Sequence, residues 1–368
     1  MLQLLSRPTS ARRIGRIGLE FDAEGISCAQ IRHDHSGWRL YRHRQTSFLT
    51  ASALRDQGAG SPSLQSPSAY RIPGVGTVSG QDLLLLMAGM RDPQVAFALP
   101  MEVCDLKVMD LPAGSISELR QMIGGELVAA GLSDDTFDFW PVSDGSSQHR
   151  ELQTVCTCLA QRESIDGLIH LGDRLGLCID GIDSIPTAAA RAVGMMPGLP
   201  QSNGMTLSLA VHIGWHQCTC VFVRDGIPLL ARIPGVAGLG LLVQQCASAL
   251  NRTDGDVLRI MRGIQDDLLI HIPDAMLEIL VECVRIWAEP LAQEILKSIA
   301  YSRRPGLRAV PAGLVLMGRG SSVPGLREIL ESELNIETCI WHPSGPGNGT
   351  DMGAFAIPAA LSAWEPLR

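Results

Sequence analysis

The chain has 368 residues, of which 46% are hydrophobic, 18% charged and only 4% aromatic, and its formal net charge is −8. That is ordinary globular composition of about two domains' length, and 38 Gly with 22 Pro exclude a collagen-like or largely disordered chain. The acidic balance argues against a dominant nucleic-acid surface, and the longest apolar run, Leu83 to Met90, is far short of the ~20 residues a membrane-spanning helix needs.

The opening MLQLLSRPTSARRIGR lacks the apolar core of a secretory signal, because Ser6, Arg7 and Pro8 break it. Ten cysteines without a small disulfide-dense region read as thiols of a reducing compartment, which points to the cytoplasm. The C-x-C pairs Cys156/Cys158 and Cys218/Cys220 suit one packed face of a strand; a zinc site needs four ligands at wider spacing, so no metal ligands are expected.

In chain order, residues 1–15 read as a flexible tail. Ile17, Leu19 and Phe21 then alternate with Gly18, Glu20 and Asp22, which predicts a strand with one buried face. Further strands over 25–32 and 38–45 complete an antiparallel meander. Half of residues 55–80 are Gly, Ser or Pro, the composition of a flexible surface loop. A helix over 81–90 and the apolar strand QVAFALP (94–100) follow. Residues 103–182 read as a compact unit in strand, helix, strand, strand, helix, strand order. Its first helix, 116–130, is signalled by capping-box spacing of Ser115 and Glu118 and stopped by Gly131. Residues 205–233 repeat the opening theme, with Asp225-Gly226 as a hairpin turn. Helices over 239–250 and 273–301 lead to a strand at 313–317, the turn GRGSSVPG with Ser322 as helix cap, a helix over 326–334 and a strand at 336–340. A last helix spans 351–364. Two meanders, each followed by helices and more strands, suggest two related halves around a cleft.

On IGLEFD, VAFALP, the inserted α+β unit, VHIG, ARIPG, LMGRGSSVPGL and TDMGAFAIPAAL, the chain resembles the PilM family of type IV pilus assembly proteins, the FtsA-like branch of the actin and sugar-kinase ATPase superfamily. The resemblance covers about residues 14–364. It implies an α/β, two-lobed actin-like (ribonuclease H-like) fold with an inserted small α+β subdomain of the FtsA and PilM type. Its parts would be a tail over 1–15, a first lobe over 16–100 with the loop 55–80, the insertion over 101–183 and a helical return to the first lobe over 184–204. The second lobe would span 205–342, and a C-terminal helix over 343–368 would pack on the first.

That superfamily lines its cleft with carboxylates for Mg²⁺ and glycine turns whose N–H groups approach phosphates. The resemblance assigns the cleft positions here to Glu20, Asp22, His212, Gly214, Gly318, Arg319 and Gly320. Glu20 stands for the first acid and is only one methylene longer. Asp22 replaces a glycine and sets a negative charge where phosphates belong, a like-charge cost of roughly 3 kcal/mol at ~5 Å and an effective dielectric of ~20. His212 replaces the second acid and is a poor Mg²⁺ ligand. Arg319 sits between two retained glycines. The expectation is a degenerate nucleotide cleft: no catalytic residues, no required cofactor, and at most weak binding of ATP with Mg²⁺. The competing local readings are a solvated strand end for Glu20 and Asp22, satisfied histidines near a cleft, rather than a metal pair, for His212 and His216, and a plain tight turn for GRGSSVPG. PGVAGLG, with Gly235, Gly238 and Gly240, lacks the Lys-Ser/Thr of a phosphate-binding loop and reads as close packing at a helix start.

What the resemblance implies of function is a cytoplasmic adaptor at the inner membrane. It would dock the N-terminal cytoplasmic peptide of a PilN-like bitopic membrane protein beside the inserted subdomain and self-associate, with no role for nucleic acid. The rivals are a cytoplasmic component of a type II secretion platform and a working ATPase or kinase. Arg7, Arg12, Arg13, Arg16, Arg32, His33, His35, Arg39, Arg42, His43 and Arg44 make the N-terminal edge basic: a solvated sheet face, or a peripheral contact with an anionic membrane or an acidic partner.

Overall fold

Two sheets of matching topology organise the chain. In the first, β2 (Ile17–Asp22) pairs antiparallel with β3 (Gly25–Asp34), and β3 with β4 (Gly37–Gln45). On its other side β2 runs parallel to β7 (Gln94–Leu99), and β7 parallel to β11 (Cys178–Ser184). The short β1 (Arg13–Ile14) continues the line of β2 along β3. The second sheet has the order β14 (Ile227–Arg232), β13 (Cys218–Arg224), β12 (Leu207–Ile213), β15 (Pro311–Met317), β16 (Thr338–Ile340). Its first two pairings are antiparallel and its last two parallel, as in the first sheet. The computed structural model describes residues 13–22, 24–34, 37–46, 69–72, 76–90, 94–132, 134–142, 152–196, 207–265, 272–302, 311–343 and 352–363.

Between the sheets lie two small-residue helices, α4 (Ile185–Gly194) and α9 (Ala356–Ser362). Ala188, Ala189, Ala190, Ala192, Ala356, Ala359 and Ala360 are all fully buried, and short side chains let the layers approach closely. One apolar cluster therefore runs from Leu19 and Phe97 of the first sheet through these helices to Val221 and Met317 of the second. Trp341, fully buried, donates its indole N–H to the Ala192 carbonyl at 2.8 Å. α1 (Gly80–Met87) and α3 (Arg162–Leu175) contribute Leu83, Leu86, Leu168 and Leu171 to the same core. The second sheet has its own outer core beneath α5 (Leu239–Leu250), α6 (Asp254–Gln265), the long α7 (Asp274–Ser302) and α8 (Leu326–Leu334).

A separate three-stranded sheet, β8 (Cys104–Pro112), β10 (Leu152–Ala160) and β9 (Thr136–Pro141), carries α2 (Ile116–Ala129) on one face. The capping box is present: the Ser115 N–H donates to Glu118 Oε2 at 2.7 Å, and the Glu118 N–H to Ser115 Oγ at 3.3 Å. Cys156 lies on the face of this sheet that joins the first lobe's core, and Trp140 donates to the Pro228 carbonyl of β14 at 3.2 Å.

Several expectations are corrected. β2 is buried on both faces: a Cβ on Gly18 would lie 1.9 Å from the Pro358 carbonyl oxygen, so α9 covers the side the alternation assigned to solvent. A sheet with parallel strands carries helices on both faces, and alternation loses its meaning there. The strand at the end of the 103–182 unit, β11, belongs to the first lobe's sheet through its parallel pairing with β7, which leaves a smaller inserted sheet. Part of the loop expected over 55–80 is a hairpin, β5 (Ala69–Ile72) with β6 (Gly76–Ser79), and Tyr70 packs on the main core; residues 55–68 lie outside the described residues, as do 1–12 of the tail. Ser322 closes a 3-10 turn rather than capping α8, whose N-cap is Gly325 at φ 79°. Among the described residues no helix is long and apolar enough to cross a membrane.

Candidate functional site

The C-terminal ends of β2 and β12, the central strands of the two sheets, meet where the lobes face each other. Glu20 is the antepenultimate residue of β2, 5% exposed, and His212 is the penultimate residue of β12, 4% exposed. His212 Nε2 donates to Glu20 Oε1 at 2.6 Å, so each sheet supplies one half of a buried pair. Burial pushes the imidazole down, but the charge of Glu20, its hydrogen bond and the nearby Asp22 outweigh this and hold His212 above its ordinary value. Glu20 Oε2 is buried and makes no hydrogen bond among the described residues.

Two residues on, Asp22 Oδ2 accepts the backbone N–H of Trp215 at 2.8 Å. Burial raises its carboxyl, with a further push from Glu20; Arg319, His212 and the Trp215 amide pull the other way without cancelling it. The amide is presented by a turn that starts at Gly214. The Gly214 N–H donates to the Gln217 carbonyl at 3.0 Å, and its own carbonyl accepts from Leu239 at the start of α5 at 2.9 Å. A Cβ on Gly238 would lie 2.3 Å from that carbonyl, which is why PGVAGLG packs as a helix start and does not cradle phosphate.

A third acid, Glu24, sits in the β2–β3 turn and is 1% exposed. Its Oε2 accepts from Arg319 Nη1 and its Oε1 from Arg262 Nη2 of α6 at 3.2 Å. Arg319 Nη2 donates in addition to the Thr46 carbonyl at 2.8 Å. Arg319 opens the 3-10 turn after β15 and is placed by the glycines on either side of it. Gly318, at φ 83°, has no room for a Cβ, which would meet the His212 ring at 2.9 Å; one on Gly320 would meet Ile213 Cγ2 at 2.2 Å.

All the residues singled out in the sequence therefore converge: Glu20 and Asp22 from one lobe, His212, Gly214, Gly318, Arg319 and Gly320 from the other. The solvated strand end for Glu20 and Asp22 is overturned, since Glu20 is buried and Asp22 is paired to a backbone amide. Glu24, Arg262 and the Thr46 carbonyl were missed. The signal for Glu24 is legible in hindsight as acids at every second position, Glu20-x-Asp22-x-Glu24, running from the strand into the turn. With His212 protonated, these acids are balanced by His212, Arg319 and Arg262. The site is a clasp between lobes: Glu20 with His212, Asp22 with the Trp215 amide and Glu24 with Arg319 and Arg262 each join the first lobe to the second.

No protein-family model matches the chain, and no curated protein does. Solved structures do. The "PilM-PilN type IV pilus biogenesis complex" is similar at 17% identity and a TM-score of 0.69, over 96% of this chain and 98% of that one. MreB 5 of Spiroplasma citri bound to AMPPNP is similar at 10% identity and a TM-score of 0.51, over 95% and 96%. The ethanolamine utilization protein EutJ from Carboxydothermus hydrogenoformans is similar at 12% identity and a TM-score of 0.50, over 99% and 94%. The matching sheet orders, the helical layer between them and these likenesses along nearly the whole chain give it the two-lobed actin-like ATPase fold, in its PilM-like form.

Proposed function

We propose that the chain is a PilM-like adaptor of a type IV pilus or related secretion platform, working at the inner membrane by holding the cytoplasmic peptide of a PilN-like membrane protein. The likeness to the PilM–PilN complex over nearly the full length supports the class of partner. The observation that carries the reading is the clasp. Glu20–His212, Asp22–Trp215 and Glu24–Arg319 tie the lobes together through the positions that elsewhere serve nucleotide, so the cleft works as a structural joint. A fixed joint suits a scaffold whose recognition surfaces must hold one relative position, and it removes the open coordination that phosphoryl transfer needs. On this reading ATP and Mg²⁺ are not required, and hydrolysis does not occur at the cleft.

The test pairs two measurements on the full chain. Calorimetric titration with Mg²⁺ and ATP is expected to give no binding in the micromolar range and no phosphate release. A synthetic peptide with the cytoplasmic N-terminal sequence of a PilN-like bitopic membrane protein from the same organism is expected to bind by β-strand or groove addition. Micromolar ATP affinity with turnover would overturn the reading.

A further inference from the structure

The first sheet's outer edge carries a surface that the clasp does not explain. Register separates the basic residues of β3 and β4 by face. Cys28 is opposite Arg44, Gln30 opposite Arg42 and Arg32 opposite Arg39, so these arginines share the face on which α1 lies. Ala29 is opposite His43, which turns the other way and packs on Phe355 at 4.6 Å between ring centroids. Arg16 is withdrawn altogether into an ion pair with Asp180. Of the remaining basic residues of that edge, Arg7, Arg12 and His35 lie outside the described residues.

The arginine face adjoins the outer side of α1. Leu84 is 46% exposed and Leu85 61%, while Leu83, Leu86 and Met87 are buried beneath them. Arg44 Nη1 donates to the Leu85 carbonyl at 3.3 Å, and Arg42 Nη1 stands 2.9 Å from where a Cβ on Gly89 would be. The guanidinium groups thus frame the C-terminal end of the helix whose next turn outward is the leucine pair. Capping that helix end explains Arg42 and Arg44; it does not explain Arg39, exposed on the outermost strand, nor two neighbouring leucines left in water. On α1 the acid is Asp82, against Arg39, Arg42 and Arg44 of β4, so arginine dominates on a protein whose net charge is −8.

We propose that this surface, Arg42 and Arg44 at the end of the helix that carries Leu84 and Leu85, with Arg39 further along the same face of β4, seats on an anionic lipid bilayer, with the arginines on lipid phosphates and the leucine pair entering the headgroup boundary. The combination favours a membrane because cationic groups beside a protruding apolar pair match the two layers of a bilayer surface, whereas an acidic peptide would use the charge and the edge of β4 that pairs no strand among the described residues but leave the leucines idle. The inference stands apart from the adaptor reading: a peptide partner can bind elsewhere whether or not this face touches lipid.

The test is flotation of the full chain with vesicles of one-third phosphatidylglycerol in phosphatidylcholine, against phosphatidylcholine alone. Co-flotation is expected only with the anionic vesicles and is expected to be lost in high salt. Leu84→Ser/Leu85→Ser is expected to weaken it about tenfold, and Arg39→Ser about fivefold, with melting curves like the parent's. Arg44→Ser is left aside, since it removes a helix cap. A variant that melts early is replaced by Leu85→Gln alone, the more exposed of the pair. Absent flotation, equal flotation on neutral vesicles, or flotation indifferent to these changes would each overturn the proposal. So would binding of polyglutamate that survives the leucine changes while vesicle binding is absent, which would make the face a site for acidic peptide.

Discussion

The clasp makes a strong demand of Arg319. Its side chain is 6% exposed and that of Glu24 1%, so Arg319→Ala leaves a carboxylate inside the protein whose remaining ion-pair partner among the described residues is Arg262, itself 36% exposed. Removing one partner of a buried ion pair costs about 3–5 kcal/mol, and the lost donation to the Thr46 carbonyl adds about 1. Arg262 recovers part of this, so the expected loss is about 3 kcal/mol, more than a hundredfold in the folding equilibrium. Urea unfolding followed by tryptophan fluorescence and circular dichroism reads it directly. Glu24→Gln should cost about 2 kcal/mol, and the double variant should fall short of the sum by about 2, the signature of a direct buried interaction. Arg319→Lys should lose roughly half as much as Arg319→Ala, because an ammonium cannot fork between a carboxylate and a carbonyl. A loss below about 1 kcal/mol, or additive single variants, would place the pair with exposed ion pairs and refute the idea of a joint.

Other consequences are open to measurement. His212 is held above its ordinary value, so its contribution to stability is complete below about pH 6.5 and is lost as pH rises through the raised value; the buried Asp22, also raised, acts in the same sense from its ordinary range upward. The melting temperature should therefore fall from neutral toward alkaline pH, and His212→Asn should flatten that slope; parallel profiles would contradict the assignment. Asp22→Gly combined with Arg319→Gly and Glu24→Gln should strengthen Mg²⁺-ATP binding in calorimetry about tenfold without turnover, since His212 remains, whereas Asp22→Gly alone should change little while Arg319 fills the turn. Gly18→Ala should destabilise by about 3 kcal/mol in denaturant titration because its Cβ would strike the Pro358 carbonyl oxygen, while Gly125→Ala, with open space around it in α2, should stabilise by about 1.

Much of the architecture was legible because it rests on local rules. α8 falls on 326–334, the span expected for it, and the Ser115–Glu118 box opens α2. The Asp225-Gly226 hairpin takes positive φ at both residues, as its twist requires. Where the reading failed, a distant segment had intervened. The alternation in β2 promised one wet face, yet α9, more than three hundred residues away, lies on it. β11 looked like the close of the inserted unit until its parallel pairing with β7 assigned it to the first lobe.

The sequence by itself determined the strand ends and glycine turns, which are local, and the resemblance assigned Glu20, Asp22, His212 and Arg319 to one cleft. Only the tertiary structure decided what those exchanges do. The partner of each acid lies roughly two to three hundred residues away, and Glu24, whose place in the run of alternate acids says nothing of burial, becomes buried because Arg319 and Arg262 arrive from the other lobe. Chain propensity fixes the ends of strands, but a charge acquires its role from whatever the opposite lobe sets against it.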